Sequence, residues 1–364
     1  MQRGWRGWAR LALYVLGALL VLLTLLPLWE TDRWWVRLWD YPRLQVAALL
    51  LLFTVLLAWV GPRRGRLFWT GGGTMVAALV WQATHFIAYF PPWPKQVASV
   101  ENCPAGRSIE LLNANVLLDN HRYADLIALV ERTDPDVVLL LEPGLDWERA
   151  IQPLHARYPF RIGEPVPNSY GMILLSRLPM EAQVLHRLQA GVPSIKARLQ
   201  MSGGEVIDLQ GLHPEPPFPG DDSGERDAEL VAVGREVRSS GRATLVLGDL
   251  NDVAWSRTSK LFLQVSGMND PRVGRGLYPT FNARYPLLRW PLDHMFVTPH
   301  FSLQQIDKPD AIGSDHFPIL YRVCLTEPAG KRLVPVKAER EVLEDAREEV
   351  SEGIQERAEE NLGQ

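Results

Sequence analysis

Long uncharged apolar runs dominate the first 90 residues, and shorter apolar runs separated by polar segments follow them. The early runs cover residues 11–29, 44–60 and 67–90, each about long enough to cross a bilayer as a helix. Tryptophan and tyrosine cluster at the ends of the runs, as in interfacial belts. We therefore predict a membrane domain over residues 1–95, a bundle of about three transmembrane helices. A cleavable signal peptide explains only the first run, and a soluble helical hairpin is the other alternative.

Strand-like and helix-like stretches alternate beyond a linker at residues 96–107. Strands are predicted at 108–116, 136–142, 171–179, 195–201, 205–213, 243–249, 291–297 and 319–325, and helices at 122–133 and 224–239. This mixture predicts an α/β domain over residues 108–326, with two packed mixed β-sheets flanked by helices in a four-layer sandwich. Residues 327–364 form a charged acidic tail, expected to be a solvated helix or a disordered end.

The charge is divided unevenly along the chain. The first 100 residues carry ten Lys and Arg against three Asp and Glu, whereas residues 101–330 carry 22 against 29. Duplex nucleic acid requires a basic stripe, which this mildly acidic middle does not offer.

Arginines flank the predicted spans on both sides. They lie at positions 3, 6, 10, 63, 64 and 66 on one side and at 33, 37 and 43 on the other, where Lys95 and Arg107 add to the count. The positive-inside rule favours, without deciding, an inner (plasma) membrane protein with its globular part on the periplasmic or extracellular side. Cys103 and Cys324 would suit that oxidising side if the first and last strands are neighbours and the thiols pair. Two unpaired thiols are the alternative.

The stretch LVLGDLND, residues 245–252, ends an apolar run in two carboxylates that bracket an asparagine. The run LVL predicts a buried strand, and Gly248 predicts a sharp turn out of the sheet. Asp249 and Asn251 then lie at the carboxyl end of the strand, where open α/β sheets bind ligands. The same residue types are also ordinary turn formers.

Other strand ends repeat this placement of polar residues after apolar runs. They are Asn113, Asn115, Glu142, His213, Asp293, His294, Asp315 and His316. In order along the chain, the motifs NANV, LLLEP, GLHPEP, GDLND, PLDHMFV and GSDHFPI resemble the endonuclease/exonuclease/phosphatase superfamily over about residues 108–325. The resemblance implies hydrolysis of a phosphodiester, in nucleic acid (DNA or RNA) or in a phospholipid head group of the bilayer that anchors the chain.

The resemblance also implies a divalent cation. Mg²⁺ or Mn²⁺ would be held by Glu142, which matches the principal metal carboxylate of the family, and by Asn115 and Asp315. Hard oxygen ligands of this kind suit either ion.

Five further residues match catalytic positions of the family. His316 matches the histidine that acts as general base or contacts the phosphate, and Asp293 matches the carboxylate that orients it. Asp249 would position or protonate groups at the scissile phosphate, and Asn251 would donate to a phosphoryl oxygen. His213 matches the second histidine of deoxyribonuclease-like and sphingomyelinase-like members.

The chain departs from the family pattern at three points. Many nucleic-acid-cleaving members carry a basic residue where this chain has Gly144, and abasic-site enzymes carry an acidic one where it has Leu117. The carboxylate that partners the second histidine in the family has no secure counterpart between Glu142 and Gly171, where Glu164 is a candidate without further support. Asn168 and Tyr170 either reach the phosphate or form a turn.

Two functions of other classes compete with hydrolysis. One is a non-catalytic, membrane-anchored binding or scaffold module on the same fold. The other is a transporter, which three spans without an intramembrane charge do not favour.

Overall fold

Two compact units make up the protein, and they are described separately. The computed structural model describes residues 2–61, 65–188, 191–217, 219, 222–328, 344, 346, 350 and 351. The helical unit comprises Met1–Trp93 and Pro217–Asp222, and the sheet unit comprises Pro94–Pro216 and Ser223–Gln364. Most of the predicted acidic tail and two of the arginines used for orientation, at 63 and 64, lie outside the described residues.

The predicted membrane runs form helices in the helical unit. Its helices are α1 (Gln2–Leu25), α2 (Trp34–Arg37), α3 (Arg43–Val60) and α4 (Arg66–Phe86). Within the described residues, two stretches are long and apolar enough to cross a membrane, Gly7–Leu28 with a mean hydropathy of 2.6 and Arg43–Val60 with 2.1. The third predicted span forms α4 but is not one of these two.

In the described part of the sheet unit, eleven strands form two sheets and α-helices cover them. The strands are β1 (Ser108–Asn115), β2 (Val137–Leu141), β3 (Phe160–Glu164), β4 (Met172–Ser176), β5 (Met180–Leu185), β6 (Ser194–Gln200), β7 (Val206–Leu212), β8 (Thr244–Asp249), β9 (Asp293–Val297), β10 (Phe301–Asp307) and β11 (Ile319–Leu325). The helices are α5 (Tyr123–Thr133), α6 (Leu145–Ala150), α7 (Gly224–Ser240) and α8 (Arg257–Ser266). One sheet has the order β10-β11-β1-β2-β4-β3 and the other β5-β6-β7-β8-β9.

Successive side chains along each strand point to opposite faces of its sheet, and this divides the buried apolar residues among three hydrophobic clusters. Leu111 on β1 and Leu247 on β8 belong to the cluster between the sheets. Leu112 faces the other way and packs with α5 and α6, while Val246 packs with α7 and α8. The predicted four-layer order of helices, sheet, sheet and helices is confirmed.

Several elements of the sheet unit were not predicted. They are β3, β5, β10, α6 and α8. The strands β3 and β5 lie at sheet edges and expose alternate residues, so their apolar signal is weak. The predicted hairpin is confirmed, because β6 and β7 pair antiparallel.

The first and last predicted strands are neighbours. β1 pairs antiparallel with β11, which places Ser108 opposite Cys324. Cys103 and Cys324 form a disulfide with a Cα–Cα distance of 5.7 Å, so the paired alternative holds.

The disulfide closes a long loop, and its loss should destabilise the sheet unit. We expect replacement of both cysteines by serine to lower the free energy of unfolding of residues 94–328 by about 3 kcal/mol, since the cross-link limits the freedom of the unfolded chain. Urea denaturation with and without reductant measures this. Reductant should lower the stability of the natural sequence and leave the serine variant unchanged; equal stability of the two proteins would contradict the prediction.

Candidate active site

The polar residues of the site continue the inward-facing rows of the core. On β1, Leu111 belongs to the core between the sheets, and Asn113 and Asn115 follow it at steps of two. On β8, Leu247 is followed in the same way by Asp249. Side chains from both sheets therefore meet where the apolar core ends.

A histidine lies between two buried carboxylates at the centre of this group. Asp249 on β8 and Asp293 on β9 are directly opposite in the antiparallel register. Nδ1 of His316 lies 2.8 Å from Oδ2 of Asp293, and its Nε2 lies 3.4 Å from Oδ2 of Asp249. The predicted residues Asp249, Asp293 and His316 are thus brought together, and Asp293 contacts one ring nitrogen of the histidine.

The two carboxylates favour the charged form of the histidine. Burial alone disfavours the imidazolium, but Asp249 and Asp293 outweigh this effect and raise the pKa of His316 to about 10. Burial disfavours the charged form of Asp293 as well and so raises the pKa of its carboxyl, while the nearby His316 acts to lower it. Burial and charge therefore act against each other at both members of this pair.

Asn115 joins this group to Glu142. Its Nδ2 donates to Oε1 of Glu142 at 2.7 Å and to Oδ2 of Asp249 at 3.2 Å. Its Oδ1 accepts from the backbone N–H of Leu117 at 3.1 Å. Asn115 lies beside Glu142, as predicted, but it presents its nitrogen there and not the oxygen that a metal would need.

The predicted metal-binding set is only partly drawn together. Among the described residues, the ligand atoms that lie within 4.8 Å of one another belong to Asp249, Asp293 and His316. Glu142 adjoins them through Asn115, and its backbone has a φ of 61° at the end of β2. Asp315 is half-buried next to His316, and its carbonyl accepts from Ala283 at 2.6 Å. The assignment of Glu142, Asn115 and Asp315 to a metal remains a prediction.

His213 follows β7 and reaches the same centre. Its Nε2 lies 4.0 Å from Oδ2 of Asp249, and its ring lies 6.1 Å from that of Tyr170 between centroids. Glu164 instead contacts Nε2 of His186 at 3.1 Å. The suggestion that Glu164 is the partner of His213 is therefore wrong, because β3 directs that carboxylate elsewhere.

The GDLND segment differs in detail from its prediction. Gly248 does not turn the chain out of the sheet, since β8 continues to Asp249. A Cβ at Gly248, whose φ is 149°, would lie 1.8 Å from the carbonyl oxygen of Leu212 on β7, so only glycine fits. Asn251 has a φ of 48°, and its Nδ2 donates to the carbonyl of Pro214 at 2.9 Å.

Two contact residues were not among the predicted site residues. Nδ2 of Asn113 donates to Oδ1 of Asp293 at 3.1 Å, and the two-residue step from Asn115 was a signal that pointed to it. Nη1 of Arg226, in the first turn of α7, donates to the carbonyl of Asn251 at 2.8 Å. No motif in the sequence marked Arg226, because its contact joins segments 25 residues apart.

A buried glutamate on α7 should make stability depend on pH. Burial raises the pKa of Glu229 from its ordinary 4.5 to about 7, with Arg187 opposing and Glu225 and Glu215 adding to the rise. Between these pH values the unfolded chain ionises first, so folding stability falls as pH rises. We expect Glu229→Gln to stabilise residues 94–328 by about 3 kcal/mol at about pH 8 and to have little effect near pH 4. Urea midpoints at both pH values test this, and an equal effect at both would contradict it.

Comparisons with known proteins agree with this architecture. A model of the Endonuclease/Exonuclease/phosphatase family matches residues 103–316. The fold resembles that of an endonuclease/exonuclease/phosphatase from Beutenbergia cavernae, with a TM-score of 0.52 and 17% identity over 61% of this chain and 72% of that one. It also resembles TDP2 of D. rerio complexed with single strand DNA product, with a TM-score of 0.51 and 17% identity over 59% and 98% of the two chains. No curated protein sequence matches the chain significantly.

Proposed function

Because the chain belongs to the endonuclease/exonuclease/phosphatase family, whose fold serves phosphoester hydrolysis, we propose that it is a membrane-anchored, metal-dependent phosphodiesterase. One observation carries the proposal. An unbroken series of contacts links Glu142, Asn115, Asp249, His316 and Asp293 across both sheets. A scaffold that had lost turnover would have no need of this series, which therefore supports the enzyme over the non-catalytic alternative.

Each side chain has a role that follows from its contacts. Asp293 holds Nδ1 of His316 at 2.8 Å, and Nε2, at the longer distance of 3.4 Å from Asp249, is the nitrogen that would donate to a phosphoryl oxygen. Asp293 is a positioning residue that fixes the ring. Asp249 is the remaining carboxylate at the centre, and it would orient and deprotonate the attacking water. His213, whose Nε2 lies 4.0 Å from the same oxygen of Asp249, would add a second donor.

The donor set suits a hard divalent cation. Glu142, Asp249 and Asp315 offer carboxylate oxygens, which Mg²⁺ and Mn²⁺ prefer. Asp249 and Asp293 are buried, with carboxylate oxygens within 4.8 Å of each other, and such a pair requires nearby positive charge. We assign Glu142, Asp315 and, after rotation of its amide, Asn115 to the ion. When bound, the ion would neutralise charge on the phosphoryl oxygens.

The exposed surface of the helical unit supports the membrane anchor. Only 17% of the most apolar window in Gly7–Leu28 and 28% of that in Arg43–Val60 is buried, whereas a core helix of a soluble protein would be mostly buried. Exposed tryptophans lie near both ends of the helices, namely Trp5, Trp8, Trp59 and Trp69 near one end and Trp29, Trp35 and Trp81 near the other. The disulfide favours a periplasmic or extracellular location for the sheet unit.

Two classes of phosphodiester are candidate substrates, nucleic acids and lipid head groups. The D. rerio neighbour holds single-stranded DNA, which supports nucleic acid. The acidic balance of residues 101–330 and the absence of a basic side chain at Gly144 favour a lipid head group.

The test is hydrolysis by the full chain, purified in detergent, before and after removal of metal with EDTA. We expect cleavage of bis(p-nitrophenyl) phosphate that is lost with EDTA and restored by Mg²⁺ or Mn²⁺. Plasmid DNA and phosphatidylglycerol in mixed micelles then separate the two substrate classes. Undiminished hydrolysis without metal would contradict metal dependence, and a folded chain that cleaves none of these esters would support the scaffold.

A further inference from the structure

A short apolar loop projects from the rim of the active site. The apolar tip, defined as residues 285–288, lies between Phe281 and Trp290, whose backbones pair as an isolated bridge. The N–H of Leu288 donates to the carbonyl of Tyr285 at 3.0 Å, which closes a tight turn. The tip is thus a defined turn at the end of a paired stem.

The side chains of the tip face outward. Leu287 is 84% exposed, Tyr285 60% and Leu288 49%. A single exposed leucine needs no explanation, but three large apolar side chains on one turn form a patch that water does not favour. None of these residues belongs to the hydrophobic clusters described for the sheet unit.

The stem of the tip is built into the active site. The ring of Phe281 lies 4.8 Å from the ring of His316, and the N–H of Ala283 donates to the carbonyl of Asp315 at 2.6 Å. Whatever the tip binds is therefore held close to the proposed reaction centre.

Two arginines border the tip in the sequence, and a lysine shares an aromatic contact with one of them. Arg284 is exposed and directly precedes it. Arg289 directly follows it, and its guanidinium lies 4.8 Å from the centre of the Phe317 ring. Nζ of Lys308 lies 3.5 Å from the centre of the same ring. Aliphatic side chains bordered by cations are the pattern of segments that sit in an anionic lipid interface.

We propose that the apolar tip inserts into the head-group region of an anionic phospholipid bilayer and so presents a lipid phosphodiester to the active site. This rests on the proposed function, which supplies the anchor and the reaction. The two leucines of the tip offer no ring for stacking on bases, Tyr285 is a residue type typical of lipid interfaces, and the acidic middle of the chain opposes nucleic acid, so the bilayer fits the tip better.

The first experiment locates the tip without using catalysis. The full chain with Leu287→Cys is labelled with a nitrobenzoxadiazole maleimide, to which the disulfide-bonded native cysteines do not react. It is reconstituted in nanodiscs of phosphatidylethanolamine and phosphatidylglycerol with or without brominated acyl chains. The matched control is Glu131→Cys, at an exposed site in the last turn of α5. The chain enters β2 soon after this turn, whereas Glu142 of the active site follows the other end of β2. We expect blue-shifted emission and bromine quenching at position 287 only. Equal behaviour at both positions would overturn the proposal.

The second experiment links the tip to turnover. We expect Leu287→Glu with Leu288→Glu to slow hydrolysis of phosphatidylglycerol in vesicles about tenfold. The free energy gained when the two leucines leave water for the bilayer is lost when glutamates replace them. Hydrolysis of bis(p-nitrophenyl) phosphate should not change, and Leu287→Met with Leu288→Met should keep both activities. Unchanged vesicle hydrolysis would overturn the proposal, as would protection of the label at position 287 by DNA and not by lipid. Quenching at position 287 in a chain that hydrolyses nothing would support the tip while rejecting the proposed enzyme.

Discussion

Replacing Asp249 by asparagine is expected to reduce phosphodiester hydrolysis by about 10³-fold. The carboxylate is the shared neighbour of three polar groups, with Nδ2 of Asn115 at 3.2 Å, Nε2 of His316 at 3.4 Å and Nε2 of His213 at 4.0 Å. Asparagine keeps the shape of this side chain but removes its charge and its ability to take a proton. The loss should appear in kcat/KM with bis(p-nitrophenyl) phosphate at saturating Mg²⁺.

The matched control for this variant is Asp208→Asn. Asp208 is also a buried carboxylate, but it lies near the start of β7 and pairs with Arg242 at 2.7 Å, away from the site. Its replacement should change stability and leave kcat/KM within about threefold of the natural protein. If both variants lost activity equally, or if Asp249→Asn kept most of its activity while folded, the central role of Asp249 would be wrong.

The second large effect is expected for the pair formed by His316 and Asp293. We expect His316→Gln to lower kcat/KM about 10³-fold and Asp293→Asn to lower it about 10²-fold. Since Asp293 acts through the ring, the double variant should be no slower than His316→Gln alone. The cycle is measured with the same soluble diester, and His155→Gln, outside the site, serves as the histidine control.

Additive losses would contradict the positioning role of Asp293. In that case the two groups would contact substrate independently, and the 2.8 Å contact between them would not be part of the mechanism. Circular dichroism of each variant separates a lost contact from a lost fold, because Asp293 also accepts a hydrogen bond from Asn113 within the core.

The arrangement of the site could be predicted where it follows local alternation. Asn115, Asp249 and His213 each continue an inward-facing row of a strand, so a period of two marks both the strand and the direction of the side chain. The opposition of Asp249 and Asp293 depends instead on the register between β8 and β9. No local pattern fixes that register, and the same holds for the contact of Arg226 with Asn251.

Close packing explains the misassigned glycine. Gly248 was interpreted as a turn, because glycine most often relieves backbone constraints in loops. Here it lies inside β8 and is required by the backbone of the adjacent strand, at Leu212. The partner strand is 36 positions away in the sequence, so the requirement is invisible until the sheet is assembled.

The pairing of β1 with β11 determines when the first sheet can be fully assembled during folding. β1 acquires β2 early in synthesis, but its other edge stays open until β11 has been made, and the cysteines beside this seam are 221 residues apart. An open edge of this kind invites pairing with other chains, so the nascent protein depends on being shielded. With the sheet unit on the proposed periplasmic or extracellular side, closure of the sheet would take place across the membrane, and oxidation of Cys103 with Cys324 would mark the molecules that have finished folding.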